Sequence, residues 1–138
     1  MSTAGYSGTP LAKKLGVKPG FLVQVFNSPK TYLDFFNDFP DEVVLVDSSE
    51  NIEVDFIHIF ATTLKELESG LKIAKPNLKK NGILWISWPK KSSKIPTEID
   101  KFTVMKAGQD SGLVDTKVAG IDDQWSGHKF MYRLKDRK

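Results

Sequence analysis

Apolar positions come in short blocks along this chain, and the spacing inside the blocks changes as the chain proceeds. Phe21 to Phe26 reads Phe-Leu-Val-Gln-Val-Phe, five apolar side chains in six positions. A run this short and this rich in β-branched and aromatic residues predicts a strand covered on both faces. "EVVLVD" predicts a second buried strand ending on Asp47, and "VDFIHIF" a third ending on Phe60. A fourth runs from Ile83 to Trp88 after an Asn81-Gly82 pair that reads as a turn. Between the strands the period becomes helical. "SGTPLAKKLG" offers Thr9 as N-cap, Pro10 in the first turn and Gly16 past the end of a short helix. "NSPKTYLDFFNDFP" predicts another helix, with Ser28 able to cap, Pro29 at the first turn, and Tyr32, Phe35, Phe36 and Phe39 at helical spacing. In "ATTLKELESGLKIAK", Thr63 and Glu66 have capping-box spacing while Leu64, Leu67 and Leu71 share a face. "PTEIDKFTVMKAGQDSG" is a further helix, closed by Gly112.

The ending changes character. "LVDTKVAG" and "HKFMYRL" alternate, with Val114, Thr116 and Val118 on one side of the first and Phe130, Tyr132 and Leu134 on one side of the second. Half-covered antiparallel strands alternate in this way, so the two should pair as a hairpin. Near-continuous apolar strands separated by helices imply parallel strands joined by crossovers. The expected fold is α/β: a three-layer, Rossmann-like, mostly parallel sheet with a C-terminal antiparallel hairpin, in one domain over residues 1–138 whose first 17 residues form an arm and short helix.

Composition narrows the function classes. With 20 Lys and Arg against 17 Asp and Glu, the formal charge is +3, a small excess that argues against nucleic acid as a partner. There is no cysteine, which excludes disulfides and thiolate chemistry. No basic-then-apolar leader and no apolar stretch of about 18 residues is present, so a cytoplasmic protein without a membrane partner is expected. The two histidines stand in no metal-binding spacing, and no metal is expected.

"KPGFLVQVF", the acidic strand end "VLVD", "VDFIHIF" and "LESGLKIAKPNLKKNGILWIS", followed by the late hairpin, resemble class I methyltransferases that use S-adenosylmethionine. "AGYSGTPLAKKLG", "WISWPKKSSK", "GLVDTKV" and "DDQWSG" together are similar to an uncharacterised bacterial family of small proteins of unknown function. The methyltransferase resemblance implies a glycine-rich loop after the first strand and places Asp47 where a carboxylate meets ribose hydroxyls. The loop here is Asn27-Ser28-Pro29-Lys30, whose side chains fill space that glycines leave open and whose proline removes a backbone donor. That departure argues against S-adenosylmethionine in its usual mode, and no cofactor is expected. Asp47 reads either as a ribose ligand or as a solvated strand terminus.

Ligands in open α/β sheets bind outside the carboxyl ends of the strands. Trp88-Pro89-Lys90-Lys91-Ser92-Ser93-Lys94 leaves such an end, with Lys90, Lys91 and Lys94 as charges for an anion, Ser92 as a donor and Trp88 as a flat face; the same run also reads as a solvated loop over a core tryptophan. In "DDQWSGHKF", Trp125, Ser126 and His128 bring together a ring, a hydroxyl and an imidazole, although turn chemistry accounts for most of the segment and no triad or nucleophile elbow is present. His58, mid-strand with Phe56 and Phe60, is expected to be a hydrogen-bonded core residue, and Lys13 and Lys14 the wet face of the first helix. The function expected is a non-catalytic domain that binds a small anionic ligand or a protein partner at its strand-end loops. A divergent S-adenosylmethionine-dependent methyltransferase and a structural or interaction subunit are the alternatives.

Overall fold

The computed structural model describes residues 9–137. Residues 4–8, the first part of the "AGYSGTPLAKKLG" motif, lie outside the described residues. The elements in chain order are α1 (Leu11–Leu15), β1 (Leu22–Phe26), β2 (Val44–Val46), β3 (Val54–Phe60), α2 (Leu64–Ala74), β4 (Leu78–Pro89), α3 (Lys101–Asp110), β5 (Leu113–Gly120) and β6 (Trp125–Tyr132). One six-stranded sheet has the order β2-β1-β3-β4-β6-β5. β1 to β4 run parallel, while β6 pairs antiparallel with both β4 and β5.

The period of two on the central strands explains why the sheet is covered on both sides. Phe56 and Phe60 of β3 and Trp85 of β4 point into a cluster with Leu15, Tyr32 and Trp125. Ile57, Ile59, Leu84, Ile86 and Trp88 point the other way, against Leu67 and Leu71 of α2 and Val104 of α3. The Trp85 indole also donates to the Leu15 carbonyl at 2.9 Å, which ties α1 to its face. α2 starts at the expected capping box: the Thr63 hydroxyl accepts from the Glu66 amide at 3.1 Å, and the Glu66 carboxylate accepts from the Thr62 and Thr63 amides. α3 is capped by Asp100, which accepts from the Thr103 amide at 3.0 Å, and starts four residues beyond the Pro96-Thr97 pair.

Several expectations change in three dimensions. The helix expected over residues 28–40 is a single 3₁₀ turn, Tyr32–Phe35, after which Phe36 is extended. Its aromatics satisfy one another instead of forming a helical stripe: Tyr32 meets Phe36 edge-on at 5.0 Å between centroids, and Phe35 stacks on Phe60 at 5.4 Å. Pro10, not Thr9, holds the N-cap position of α1. β2 is not buried. It is the outer edge of the sheet, with Val44 and Leu45 54% and 45% exposed, because no strand pairs beyond it. Asn81-Gly82 is no free turn. β4 already pairs at Leu78 with Val54, and residues 79–82 bulge opposite Asp55 before Ile83 pairs with Phe56. Gly82 is needed there, since a Cβ would lie 3.1 Å from the Asp55 carbonyl and closer still to Leu78. A register shift between Asp115 and Lys117 breaks the alternation of β5 and leaves Val118 49% exposed. Leu134 lies past β6 in a terminal turn and is 77% exposed.

Candidate functional site

The chain enters the sheet at β1, goes to β2 on one side, and returns to β3 on the other side of β1. The crevice at the carboxyl ends of β1 and β3 is therefore the topological switch point, where open α/β sheets place their ligands. Asn27 leaves β1 with φ 60, the left-handed conformation that glycine adopts without cost. The backbone thus makes a glycine-type turn while still carrying a side chain. The Ser28 hydroxyl donates to the Lys30 carbonyl, and Pro29 has no N–H. This loop accordingly does not offer the open glycine cradle that close approach of a cofactor's amino-acid end requires.

The neighbouring strand end is better furnished. Asp47 is exposed and accepts the Ser49 hydroxyl at 2.6 Å and the Ser49 amide at 2.8 Å, both on Oδ1. Those bonds, the hydroxyl's first, hold its carboxyl below the usual carboxylate range, so it is ionised at neutral pH. Two buried amides fix this turn. The Gln24 amide nitrogen donates to the Asp47 and Glu50 carbonyls at 2.9 and 3.0 Å, and Asn77 donates to the Gln24 side-chain oxygen and to the Glu50 carbonyl. A cavity of about 350 Å³ opens beside it, lined by Phe26, Asn27, Ser48, Lys65 and Glu66 among others. Gln24, the one polar residue in an otherwise apolar strand, was the sequence signal for this device; Asn77 and Ser48 gave none.

The basic run after β4 is divided. Lys90 continues β4 toward the hairpin, its amide donating to the Gln124 carbonyl at 2.8 Å, and its charge is felt by Lys14 of α1. Lys91 instead lines a second cavity of about 470 Å³ with Trp88, Asp100, Lys101 and Phe102, on the α3 side. Ser92 is exposed, and Lys94 is exposed with φ 63. Trp88 is 7% exposed, so only a margin of its ring reaches that cavity. Ser126 and His128 lie on one face of β6, opposite Trp88 and Ile86 of β4, while Trp125 points to the other face, against Phe60 at 5.3 Å. The His128 ring stacks on Phe130, and its Nε2 lies 3.4 Å from Asp115. Burial lowers its pKa, against the smaller pull of Asp115.

His58 has partners that its sequence neighbourhood does not supply. Its Nδ1 is 2.7 Å from the Tyr32 hydroxyl and its Nε2 2.7 Å from the Ser87 hydroxyl, and all three side chains are buried. Burial lowers the His58 pKa to about 3 and raises that of Tyr32, so the ring is neutral and the relay uncharged. Lys14, expected on a wet helix face, is instead half-buried with its ammonium on the Gly120 carbonyl at 3.1 Å.

The family model "Protein of unknown function (DUF3052)" matches residues 12–134. No curated protein matches the sequence. Among solved structures, the chain is similar to a SAM dependent methyltransferase from Aquifex aeolicus, with 18% identity over 88% of this chain and 87% of that one and a TM-score of 0.62. It is also similar to a putative type 11 methyltransferase from Sulfolobus solfataricus, at 18% identity over 90% of each chain and a TM-score of 0.62. Aeropyrum pernix fibrillarin, in complex with natively bound S-adenosyl-L-methionine, matches at 15% identity over 88% of this chain and 73% of that one, with a TM-score of 0.55. At such identities the likeness establishes the fold: a methyltransferase-like α/β sheet.

Proposed function

We propose that this chain, which belongs to the DUF3052 family of proteins of unknown function, is a divergent methyltransferase-fold domain that holds an adenosyl cofactor chiefly by its nucleoside. The observation that carries this reading is the pairing of an ionised, loop-fixed Asp47 with the adjoining 350 Å³ cavity between α2 and the residues that leave β1 and β2. Asp47 keeps Oδ2 for ribose hydroxyls while Oδ1 is engaged by Ser49, and Asn27 and Ser48 supply polar groups at the cavity wall. Gln24 and Asn77 hold the turn in place, so ribose binding entails little ordering cost. S-adenosylmethionine, when bound, supplies an electrophilic sulfonium methyl group. The glycine-free turn at Asn27 gives the amino-acid end of such a cofactor a poor seat, so affinity is expected to be weak and to reside in the nucleoside.

Isothermal titration with S-adenosylmethionine, S-adenosylhomocysteine and adenosine tests this. Saturable binding with Kd on the order of 100 µM is expected, equivalent to about −5.5 kcal/mol. Adenosine should retain most of that affinity and methionine should bind undetectably. Asp47→Ala should weaken adenosine binding about tenfold, the scale of one charge-assisted hydrogen bond. No heat from any adenosyl compound up to millimolar concentration would sink the reading.

A further inference from the structure

The formal charge of +3 conceals a separation of charge along the chain. Residues 31–64 hold eight carboxylates and no lysine or arginine, which leaves all 20 cations against the other nine carboxylates. The acidic segment includes β2 and the turns around it, at one edge of the sheet; β5 and β6 lie at the opposite edge. On that side four lysines stand on neighbouring elements, α1, the end of β4 and the β5–β6 hairpin. Lys117 and Lys129 are partners across the β5–β6 ladder. The Lys117 ammonium reaches the Lys14 carbonyl at 3.2 Å, and the Lys14 ammonium reaches the carbonyl of Gly120, at the end of β5. The Lys90 backbone amide donates to the Gln124 carbonyl at 2.8 Å, which anchors its main chain beside the connection between β5 and β6, near enough for its charge to act on Lys14.

We propose that Lys14, Lys90, Lys117 and Lys129 form a site for closely spaced phosphates on the α1 face of the β5–β6 hairpin. Face and reach follow from the ladder. Gly127 of β6 packs against Trp85 and Ile121 on the α1 side, and Lys129, two residues on, shares that face. Among the described residues, no carboxylate lies within ion-pair distance of any of the four ammonium groups; the ion pairs are Lys79–Asp55, Lys106–Asp110, Arg133–Asp136 and the His128–Asp115 contact. Each ammonium carries three donors, and the hydrogen bonds named above use one on Lys14 and one on Lys117, both to backbone carbonyls. The crowding is felt electrostatically. Burial, then Lys117 and Lys90, lower the pKa of Lys14, and burial, then Lys117 and Arg137, lower that of Lys129. An anion between them would relieve this repulsion. Point-charge lysines in a row, without the planar fork of arginine, suit clustered phosphate oxygens more than a single carboxylate. The chemistry is shared by the polyphosphate tail of a nucleotide and by a nucleic-acid backbone.

Titration of the full chain with inorganic tripolyphosphate and with a twelve-nucleotide single-stranded DNA separates these sources. Binding of tripolyphosphate alone assigns a nucleotide-type ligand, and tighter binding of the oligonucleotide assigns a backbone; both support the site. Lys117→Gln with Lys129→Gln should weaken binding at least about tenfold. For the oligonucleotide, that pair should reduce the slope of log K against log salt by about 1.4, at about 0.7 per charge removed. Lys90→Gln alone should weaken binding in the same direction, whereas Lys91→Gln with Lys94→Gln should leave it within about twofold. Melting temperatures of the unliganded variants report that each is folded. If neither probe binds at low salt, or if the Lys91 and Lys94 pair matters as much as the Lys117 and Lys129 pair, the assignment is overturned. The adenosine titration is read at the opposite edge of the sheet, so either result can fail without the other.

Discussion

Acidification from pH 7 to pH 5 will cost this protein about 2 kcal/mol of folding stability through His58 alone. In the fold the imidazole is buried with a pKa of about 3, and in the unfolded chain it titrates near 6.5. The depressed folded value means that the unfolded state takes up the proton first. Stability from this residue is fully present above about 6.5 and falls by about 1.4 kcal/mol for each pH unit until the folded pKa is reached. Carboxylates add little in this window, since their ordinary pKa values lie near 4. His128, lowered in the same direction, adds to the slope. Urea unfolding at pH 7, 6 and 5 measures it, and His58→Gln should flatten most of the dependence while remaining able to bond Tyr32 or Ser87. A wild-type stability equal at pH 7 and pH 5 would remove the buried neutral imidazole from the account.

Gly108→Ala should destabilise the fold by about 2 kcal/mol, the opposite of what a glycine inside a helix ordinarily promises. Alanine would bring about 1 kcal/mol of helix propensity to α3. Its Cβ, however, would enter the ring of Phe130, contacting Cε2, Cζ and Cδ2 inside van der Waals distance. Phe130 has no room to yield: it is fully buried, held in ladders opposite Leu84 and Asp115, and stacked on His128 at 5.0 Å. Overpacking a core of this kind costs about 1–3 kcal/mol and occasionally more, enough to outweigh the propensity. In a Phe130→Leu background the same substitution should cost less, because the ring is gone, and a double-mutant cycle in urea reads the difference as coupling. Equal costs in both backgrounds would mean that α3 shifts away from the sheet instead of clashing.

Much of this molecule could be read locally. Hydrophobic runs marked all four parallel strands and the hairpin, the Thr63 and Glu66 pair marked the start of α2, and Gly16 and Gly112 are both left-handed where helices were expected to stop. The failures share a cause. Tyr32, Phe35, Phe36 and Phe39 have helical spacing, but their rings gain more from one another and from Phe60 than from a helix stripe. Val43 to Val46 looked buried because apolar content reports what a strand prefers, while burial depends on whether a neighbour arrives.

The sequence by itself therefore determined most of the elements and their order in an α/β sheet, because backbone period and capping act over a few residues, while the methyltransferase-like class came from a resemblance of whole segments that the solved structures bear out. It did not determine the sites, because their contacts span the chain. Asn77 meets Gln24 across 53 residues, and Lys14 meets Gly120 across 106. Lys90 and Lys91 are adjacent in sequence, yet one joins the lysines of α1 and β5 and the other lines the cavity beside α3. Both lie past the end of β4, Lys90 as the N-cap of a 3₁₀ turn and Lys91 as its first residue, so no strand period directs them and only the packing of that turn between the hairpin and α3 sets them apart.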